Sequence, residues 1–511
     1  MPGIEVKKVG MLGVGSMGAM MTLLMAEKGY EVFYYDPNDQ NLDTLEQQVK
    51  DIKLESRAHR SASYDAVCEG LGASSAGPKV FMFSTPHGTA ADKCIEGLRP
   101  HLGRGDVIID CGNEHFARTE ARQRALQPDG VHYVGCGVSG GYQAARAGPS
   151  LSPGGSAEAL DAVMPFLRSL AARDDQGNPC TAPVGPAGSG HYIKMVHNGI
   201  EQGMMSVVAE AWLLMTEGLG LSHEEIGTVF ASWNAVGPLR ECFLVGIGAD
   251  VSRARHPDGT HVVAQVRDKV VQDVDEEEGT GTWTCQEAVA RHVPAASILS
   301  AHLFRCASAD LARRIKNRAA ASRPVQPGRL LLTYPTNSLE AKASFLELLH
   351  KTVYFCFLCC FAQGLDLIRE KDKDSGWSLS YANILQLWRG GCIIRAEAIA
   401  EVLASLYARP DHDPDAILSN SEVGEELGRM YPAVKQVVVR AVESDLFVPA
   451  ISQTLEYYKY ETSTQLPTQF MEAQLDYFGQ HMFDRTDDPV GGPTKGKHHF
   501  EWKPAKETSD H

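Results

Sequence analysis

The stretch Lys8-Val-Gly-Met-Leu-Gly-Val-Gly-Ser-Met-Gly18 decides the fold at the start of the chain. Five residues with strand character lead directly into Gly13-x-Gly15-x-x-Gly18, and a helical pattern follows. Glycines at this spacing permit a tight turn, a close approach to a pyrophosphate and helix–strand packing, with the phosphates at a helix N-terminus. An ordinary strand–helix turn is the alternative. Asp36 ends the next strand pattern, 18 residues after Gly18, and favours a dinucleotide site.

Asp36 also bears on which dinucleotide is bound. An acid at this position binds the ribose 2′-hydroxyl of NAD, whereas the 2′-phosphate of NADP usually meets an arginine. Pro37 and Asn38 follow instead. The sequence therefore predicts NAD in preference to NADP, and a solvated strand end is the alternative interpretation of Asp36. The predicted cofactor-binding residues are Gly13, Gly15, Met17, Gly18, Asp36 and Asn113.

Strand and helix patterns alternate through the first third of the chain and then give way to long helical patterns. The alternation predicts an α/β, Rossmann-type doubly wound parallel sheet, and the later helices predict a large all-α domain with an extended C-terminal tail. The Gly/Pro-rich stretch Thr181–Gly190 marks the boundary. The predicted strands are Lys8–Leu12, Glu31–Tyr35, Lys79–Phe83, Val107–Asp110 and His132–Val134. The predicted domains are a dinucleotide-binding domain at 1–187, a helical substrate and dimerisation domain at 188–463, and a tail at 464–511.

The bulk composition is that of an ordinary globular protein, with 511 residues, 43% apolar and 22% charged. A net charge of −16 argues against nucleic acid or an anionic membrane as a partner, because either needs a basic face. No apolar leader opens the sequence, and the most apolar run, Thr352–Ala362, is too short to span a bilayer. Cys356 and Cys359 form a C-x-x-C that we interpret as part of a buried helix rather than a metal site. We expect a cytoplasmic protein without a metal.

A polar stripe follows the boundary. Lys194, His197, Asn198 and Glu201 lie at i, i+3, i+4 and i+7, which places them on one helix face. A salt-bridged surface stripe is the plain alternative. However, a glycine-rich segment sets the stripe beside the nucleotide domain, and a lysine two turns from a glutamate is a suitable acid–base pair.

Several segments beyond these resemble the decarboxylating 6-phosphogluconate dehydrogenases, in order along nearly the whole chain. The wider β-hydroxyacid dehydrogenase superfamily shares the nucleotide domain and the lysine, but not the later segments. The segments are Val138–Gly141, Gly148–Gly155, Gly190–Glu201, Gly279–Thr284, Trp388–Arg395 and Asp476–His481.

The resemblance implies roles for the matching residues. Lys194 would accept the C3-hydroxyl proton as hydride leaves for the nicotinamide, and Glu201 would protonate the enediol carbon after CO2 loss. Members of this family are homodimers in which the C-terminal tail of one subunit enters the other subunit. The resemblance also implies that the reaction needs no metal. The remaining roles would be carboxylate binding by Ser139, Gly140 and Gly141, orientation of substrate and nicotinamide by Asn113, His197 and Asn198, distal substrate contacts from Thr280 and Arg305, and a partner contact from His481.

The chain departs from the family where the substrate phosphate is held. Glu278 and Leu475 stand where the family has a lysine and an arginine, and Gln202 stands where we expect a tyrosine. Of the phosphate contacts, Arg305 remains. We therefore expect 6-phosphogluconate or a related aldonate-like β-hydroxy acid as substrate. Two alternatives stay open, which are a β-hydroxyacid dehydrogenase that does not decarboxylate and a non-catalytic paralogue.

Overall fold

The computed structural model describes residues 5–72, 77–270, 279–332, 338–408, 417–491 and 496–502. Glu278 lies outside these residues. The chain divides into two compact units, Met1–Leu455 and Glu456–His511. The predicted domain limits at 187/188 and 463/464 stay predictions.

The first unit opens with a seven-stranded sheet of order β3-β2-β1-β4-β5-β6-β7. The first six strands are parallel, as a Rossmann-type fold requires, and all five predicted strands are present. The sheet departs from the parallel arrangement at β7, which pairs antiparallel with β6. The link between them is too short for a parallel crossover, which needs a dozen or more residues. The strands are β1 Lys8–Leu12, β2 Glu31–Tyr35, β3 Ala58–Arg60, β4 Val80–Phe83, β5 Val107–Asp110, β6 His132–Ser139 and β7 Ser150–Gly154.

Helices cover both faces of the sheet and build the rest of the chain. In the nucleotide-binding part they are α1 Ser16–Glu27, α2 Asp39–Asp51, α3 Tyr64–Leu71, α4 Thr89–Leu98, α5 Phe116–Leu126, α6 Gly141–Ala147 and α7 Ala157–Leu170. Beyond it they are α8 Ser189–Leu213, α9 His223–Ala235, α10 Phe243–Arg253, α11 Gly279–Ala290, α12 Ala296–Ala309, α13 Leu311–Ala320, α14 Leu339–Ser375, α15 Tyr381–Leu387, α16 Glu397–Tyr407, α17 Ser421–Glu443, α18 Pro449–Glu461 and α19 Thr468–Gly479.

Glycines let α8 lie directly on the sheet. A Cβ on Gly190 would stand 2.2 Å from the Gly135 carbonyl oxygen, and one on Gly137 would stand 2.2 Å from the Cβ of Lys194. Any larger side chain at these points would lift the helix from β6. The polar stripe of α8 is thereby held at the carboxyl end of β6.

The long helix α14 forms the core of the helical part. Cys356, Cys359 and Cys360 are fully buried in it and act as small apolar side chains, as predicted. Among the described residues, α14 is the one helix long and apolar enough to cross a membrane, yet 72% of its apolar window is buried inside the protein.

Candidate active site

The glycine-rich turn leaves space in front of the N-terminus of α1. Gly13 has a φ of +87°, and a Cβ there would stand 2.4 Å from the Ser84 carbonyl oxygen. A Cβ on Gly18 would stand 2.0 Å from the Gly13 oxygen, whereas one on Gly15 would meet nothing within 4 Å. The first and third glycines are thus required by packing. The second opens room in which a pyrophosphate fits against the helix N-terminus.

Asp36 fixes this turn as well as ending β2. Its carboxylate is 7% exposed and accepts the backbone N–H groups of Val14 and Asn38, each at 2.8 Å. The bond to Val14 crosses from β2 to the glycine-rich turn and was not predicted. Asn41 Nδ2 also donates to the same oxygen as Val14, Oδ2, at 3.2 Å. Oδ1 accepts one bond, from Asn38, so its second lone pair can still accept a ribose hydroxyl.

Asn113 and Ser139 follow neighbouring parallel strands at the edge of the sheet where ligands bind in such folds. Asn113 is exposed, while Glu114 beside it is buried and bonds Arg122 at 2.7 Å. Arg122 also donates to the Gly88 carbonyl at 2.6 Å. The loops after β4 and β5 are therefore tied together behind Asn113.

His197 is the centre of the polar stripe and is 1% exposed. Its Nδ1 lies 3.5 Å from Lys194 Nζ, 3.0 Å from Asn198 Oδ1 and 3.6 Å from Glu201 Oε2. Its Nε2 lies 2.8 Å from Ser139 Oγ. The structure thus brings the four stripe residues together with the predicted carboxylate-binding serine.

The imidazole of His197 is neutral at neutral pH. Burial, reinforced by the charge of Lys194, holds the pKa of His197 well below its usual value. Asn198 donates its Nδ2 to Thr280 Oγ1 at 3.1 Å, which turns its Oδ1 towards the ring. We therefore assign the ring proton to Nδ1, which leaves Nε2 as an acceptor.

Cys392 completes the cluster and was given no role from the sequence. It lies between α15 and α16, with Sγ 3.1 Å from His197 Nε2 and 3.7 Å from Ser139 Oγ. Burial raises the pKa of Cys392 to about 11, so the group stays a thiol. The sequence did contain an indication of its importance, because Cys392 lies within Trp388–Arg395, one of the segments that resemble the family.

The distal side of the cluster holds a pair formed by Gln202 and His302. Gln202 is 5% exposed, and its Oε1 lies 3.3 Å from His302 Nδ1. A Cβ on Gly281 would stand 2.3 Å from the Gln202 Nε2, so the amide packs on the backbone of that glycine. His302 Nε2 is 3.4 Å from Thr282 Oγ1, and Arg305 lies one turn further along α12. This pairing was not predicted.

Two predicted residues belong to the second unit. Leu475 lies on α19 and is 38% exposed, and His481 follows that helix with its ring 6.1 Å from the Phe478 ring. The unit is held from inside by Asp476, which is fully buried and bonds His499 and Trp502. The role predicted for His481 stays a prediction.

The comparison with known proteins covers both parts of the chain. Residues 8–185 match the NAD binding domain of 6-phosphogluconate dehydrogenase, and residues 190–502 match the C-terminal domain of 6-phosphogluconate dehydrogenase. The chain belongs to the 6-phosphogluconate dehydrogenase family. It is accordingly an NAD(P)-dependent, decarboxylating oxidoreductase, and the predicted family and fold class are confirmed.

Relatives match along their whole length. The decarboxylating 6-phosphogluconate dehydrogenase of Emericella nidulans is 42% identical over 509 residues, which cover 96% of this chain and 100% of the relative. The NADP(+)-dependent enzyme of Bacillus subtilis is 33% identical over 97% of this chain and 99% of its own. The solved structure of Plasmodium falciparum 6-phosphogluconate dehydrogenase superposes with a TM-score of 0.85 at 29% identity, over 97% of this chain and 100% of that one.

Proposed function

We propose that the chain catalyses the NAD(P)-dependent oxidative decarboxylation of 6-phosphogluconate or a related aldonate-like β-hydroxy acid. The products are a ketose-type sugar, CO2 and NAD(P)H. The observation that carries the proposal is the placement of Lys194 and Glu201 at 3.5 and 3.6 Å from the same ring nitrogen of a buried, neutral histidine. The activities of the related enzymes support it.

The reaction needs a base first and an acid later. Lys194 is 8% exposed and lies 3.5 Å from the buried ring of His197, and it accepts the C3-hydroxyl proton while hydride passes to the nicotinamide. The resulting β-keto acid loses its carboxylate as CO2. The electron pair of the broken C–C bond becomes the C=C bond of an enediol, whose oxygen takes back the proton that Lys194 accepted. Glu201 then protonates the enediol carbon while Lys194 again removes the hydroxyl proton, which gives the ketose-type product. Ser139, Gly140 and Gly141 hold the carboxylate end.

Two variants separate these roles. Lys194→Met removes the base, so we expect dinucleotide binding without NAD(P)H formation. Glu201→Gln keeps the base, so we expect one burst of NAD(P)H and CO2 followed by slow turnover. Lys371→Met is a matched control, because Lys371 is 9% exposed and its amine lies 4.4 Å from the Phe116 ring centroid, outside the cluster. Near-normal turnover in Lys194→Met would refute the proposal.

The finer assignments concern the cofactor, the distal end of the substrate and the assembly. Asp36, with no cation after it, supports NAD over NADP. The uncharged Gln202 and Leu475, with the acidic Glu278 in the sequence, support weak recognition of a phosphate compared with an uncharged or differently substituted end. The tail segment Asp476–His481 supports a homodimer in which each tail completes the active site of the other subunit.

A further inference from the structure

The thiol of Cys392 and the hydroxyl of Ser139 face the same nitrogen. His197 Nε2 lies 2.8 Å from Ser139 Oγ and 3.1 Å from Cys392 Sγ. The N–H of Ile393 donates to the serine oxygen at 3.4 Å. The Ser139 oxygen therefore accepts a hydrogen bond from the loop that contains Cys392, and its O–H group can still donate one hydrogen bond.

His197 Nε2 can accept a hydrogen bond from only one of these two donors at a time. A neutral imidazole with its proton on Nδ1 offers a single lone pair at Nε2. A substrate carboxylate is an acceptor only, so Ser139 binds it by turning its one proton away from His197. Without a second donor, that turn would leave a buried ring nitrogen unsatisfied, at a cost of roughly tenfold or more in affinity.

We propose that Cys392 is a positioning residue whose S–H takes the place of the Ser139 O–H on His197 Nε2 when the serine turns to the substrate carboxylate. The inference rests on the proposed function, because it assumes that Ser139 binds a carboxylate. No bond other than hydrogen bonds changes. The Ser139 O–H group turns from the ring nitrogen to the substrate carboxylate and keeps its proton. The Cys392 S–H group then donates a hydrogen bond to His197 Nε2.

The backbone around Cys392 is fixed for this exchange. A Cβ on Gly391 would stand 2.5 Å from the Gly148 oxygen, and one on Gly140 would stand 2.3 Å from the Gly391 oxygen. A Cβ on Gly390 would stand 3.0 Å from the Arg173 oxygen. The loop is thus pressed against the nucleotide domain, so the thiol is held beside the ring before any ligand arrives.

A double-mutant cycle tests the exchange. Dissociation constants of 6-phosphogluconate and D-gluconate are measured by calorimetry on the dinucleotide-loaded protein, with Cys392→Ala made alone and in the Ser139→Ala background. We expect about tenfold weaker binding from Cys392→Ala when Ser139 is present, and less than twofold when it is absent. Equal weakening in both backgrounds, or none in either, would overturn the proposal.

Two further variants exclude a packing effect. Cys392→Ser keeps a donor and should restore most of the affinity. Cys180→Ala removes another fully buried thiol near Gly390 and should leave the affinity unchanged. Because the cycle measures binding, an intact coupling without CO2 release would count against the proposed function alone. If neither acid bound the unmodified protein, both proposals would be refuted.

Discussion

We expect the dinucleotide preference to depend on the side chain of Asp36. Its carboxylate is held by Val14 and Asn38 and cannot turn away from a 2′-phosphate without breaking these bonds. At about 6 Å and an effective dielectric of about 20, each phosphate charge would be repelled by about 3 kcal/mol. We expect a lower Michaelis constant for NAD than for NADP in initial-rate measurements, and the reverse order would contradict this account.

We expect recognition of the distal substrate end to depend on the residue types at Glu278, Leu475 and Gln202. Two cations of the family are absent from the sequence, and Gln202 is turned to His302. The double variant Glu278→Lys with Leu475→Arg should therefore gain about tenfold or more in kcat/KM for 6-phosphogluconate, equivalent to about 1.4 kcal/mol. Its kcat/KM for D-gluconate is the control and should change little. Efficient use of 6-phosphogluconate by the unmodified protein would show that the phosphate is recognised by other residues.

The catalytic helix α8 also stabilises α18 through Glu210. This glutamate is 2% exposed and accepts the N–H groups of Ala450 and Ile451 in the first turn of α18, and the Ser206 hydroxyl. Burial raises the pKa of Glu210 to about 7, above the ordinary 4.5, although the three hydrogen bonds oppose the shift.

This raised pKa predicts a pH dependence of stability. The contribution of Glu210 is complete below pH 4.5 and is lost as pH rises through about 7, because the folded state binds the proton more tightly. The shift corresponds to about 3 kcal/mol. In urea unfolding between pH 5 and 8, the free energy of unfolding of the unmodified protein should fall by about this much relative to Glu210→Gln. A difference between the two proteins that is constant with pH would contradict the prediction.

The elements differ in how far the sequence predicts them. The strands β1, β2, β4 and β5 and the helices α8 and α14 were predictable because each has a clear apolar period or a distinct boundary. The strand β3 has three residues, too few to show a period, and β7, with Pro153 inside it, lacks β-branched residues. The contacts of Cys392 with Ser139 and of Gln202 with His302 join residues 253 and 100 positions apart. No local pattern encodes such pairs, and the family resemblance marked their segments without their geometry.

The chain as a whole is expected to act as a homodimer that needs its tail. The second unit has an internal structure centred on Asp476, whose carboxylate accepts the N–H groups of Met482 and Phe500 as well as the side chains of His499 and Trp502. Truncation after Glu461 removes all of this unit except its first six residues, so we expect loss of activity and a smaller mass by light scattering, with dinucleotide binding retained. A truncated monomer with full activity would contradict the proposed assembly.

Release of labelled CO2 measures directly whether this protein couples oxidation to decarboxylation. 6-Phosphogluconate and D-gluconate labelled at C1 are incubated with the unmodified protein and NAD or NADP, and labelled CO2 is counted beside NAD(P)H absorbance. We predict equal amounts of the two products from at least one acid, because Lys194 and Glu201 act in sequence on one substrate. NAD(P)H without CO2 would show a dehydrogenase that stops at the keto acid, and neither product, with dinucleotide still bound, would show a non-catalytic protein. Either result would contradict the account.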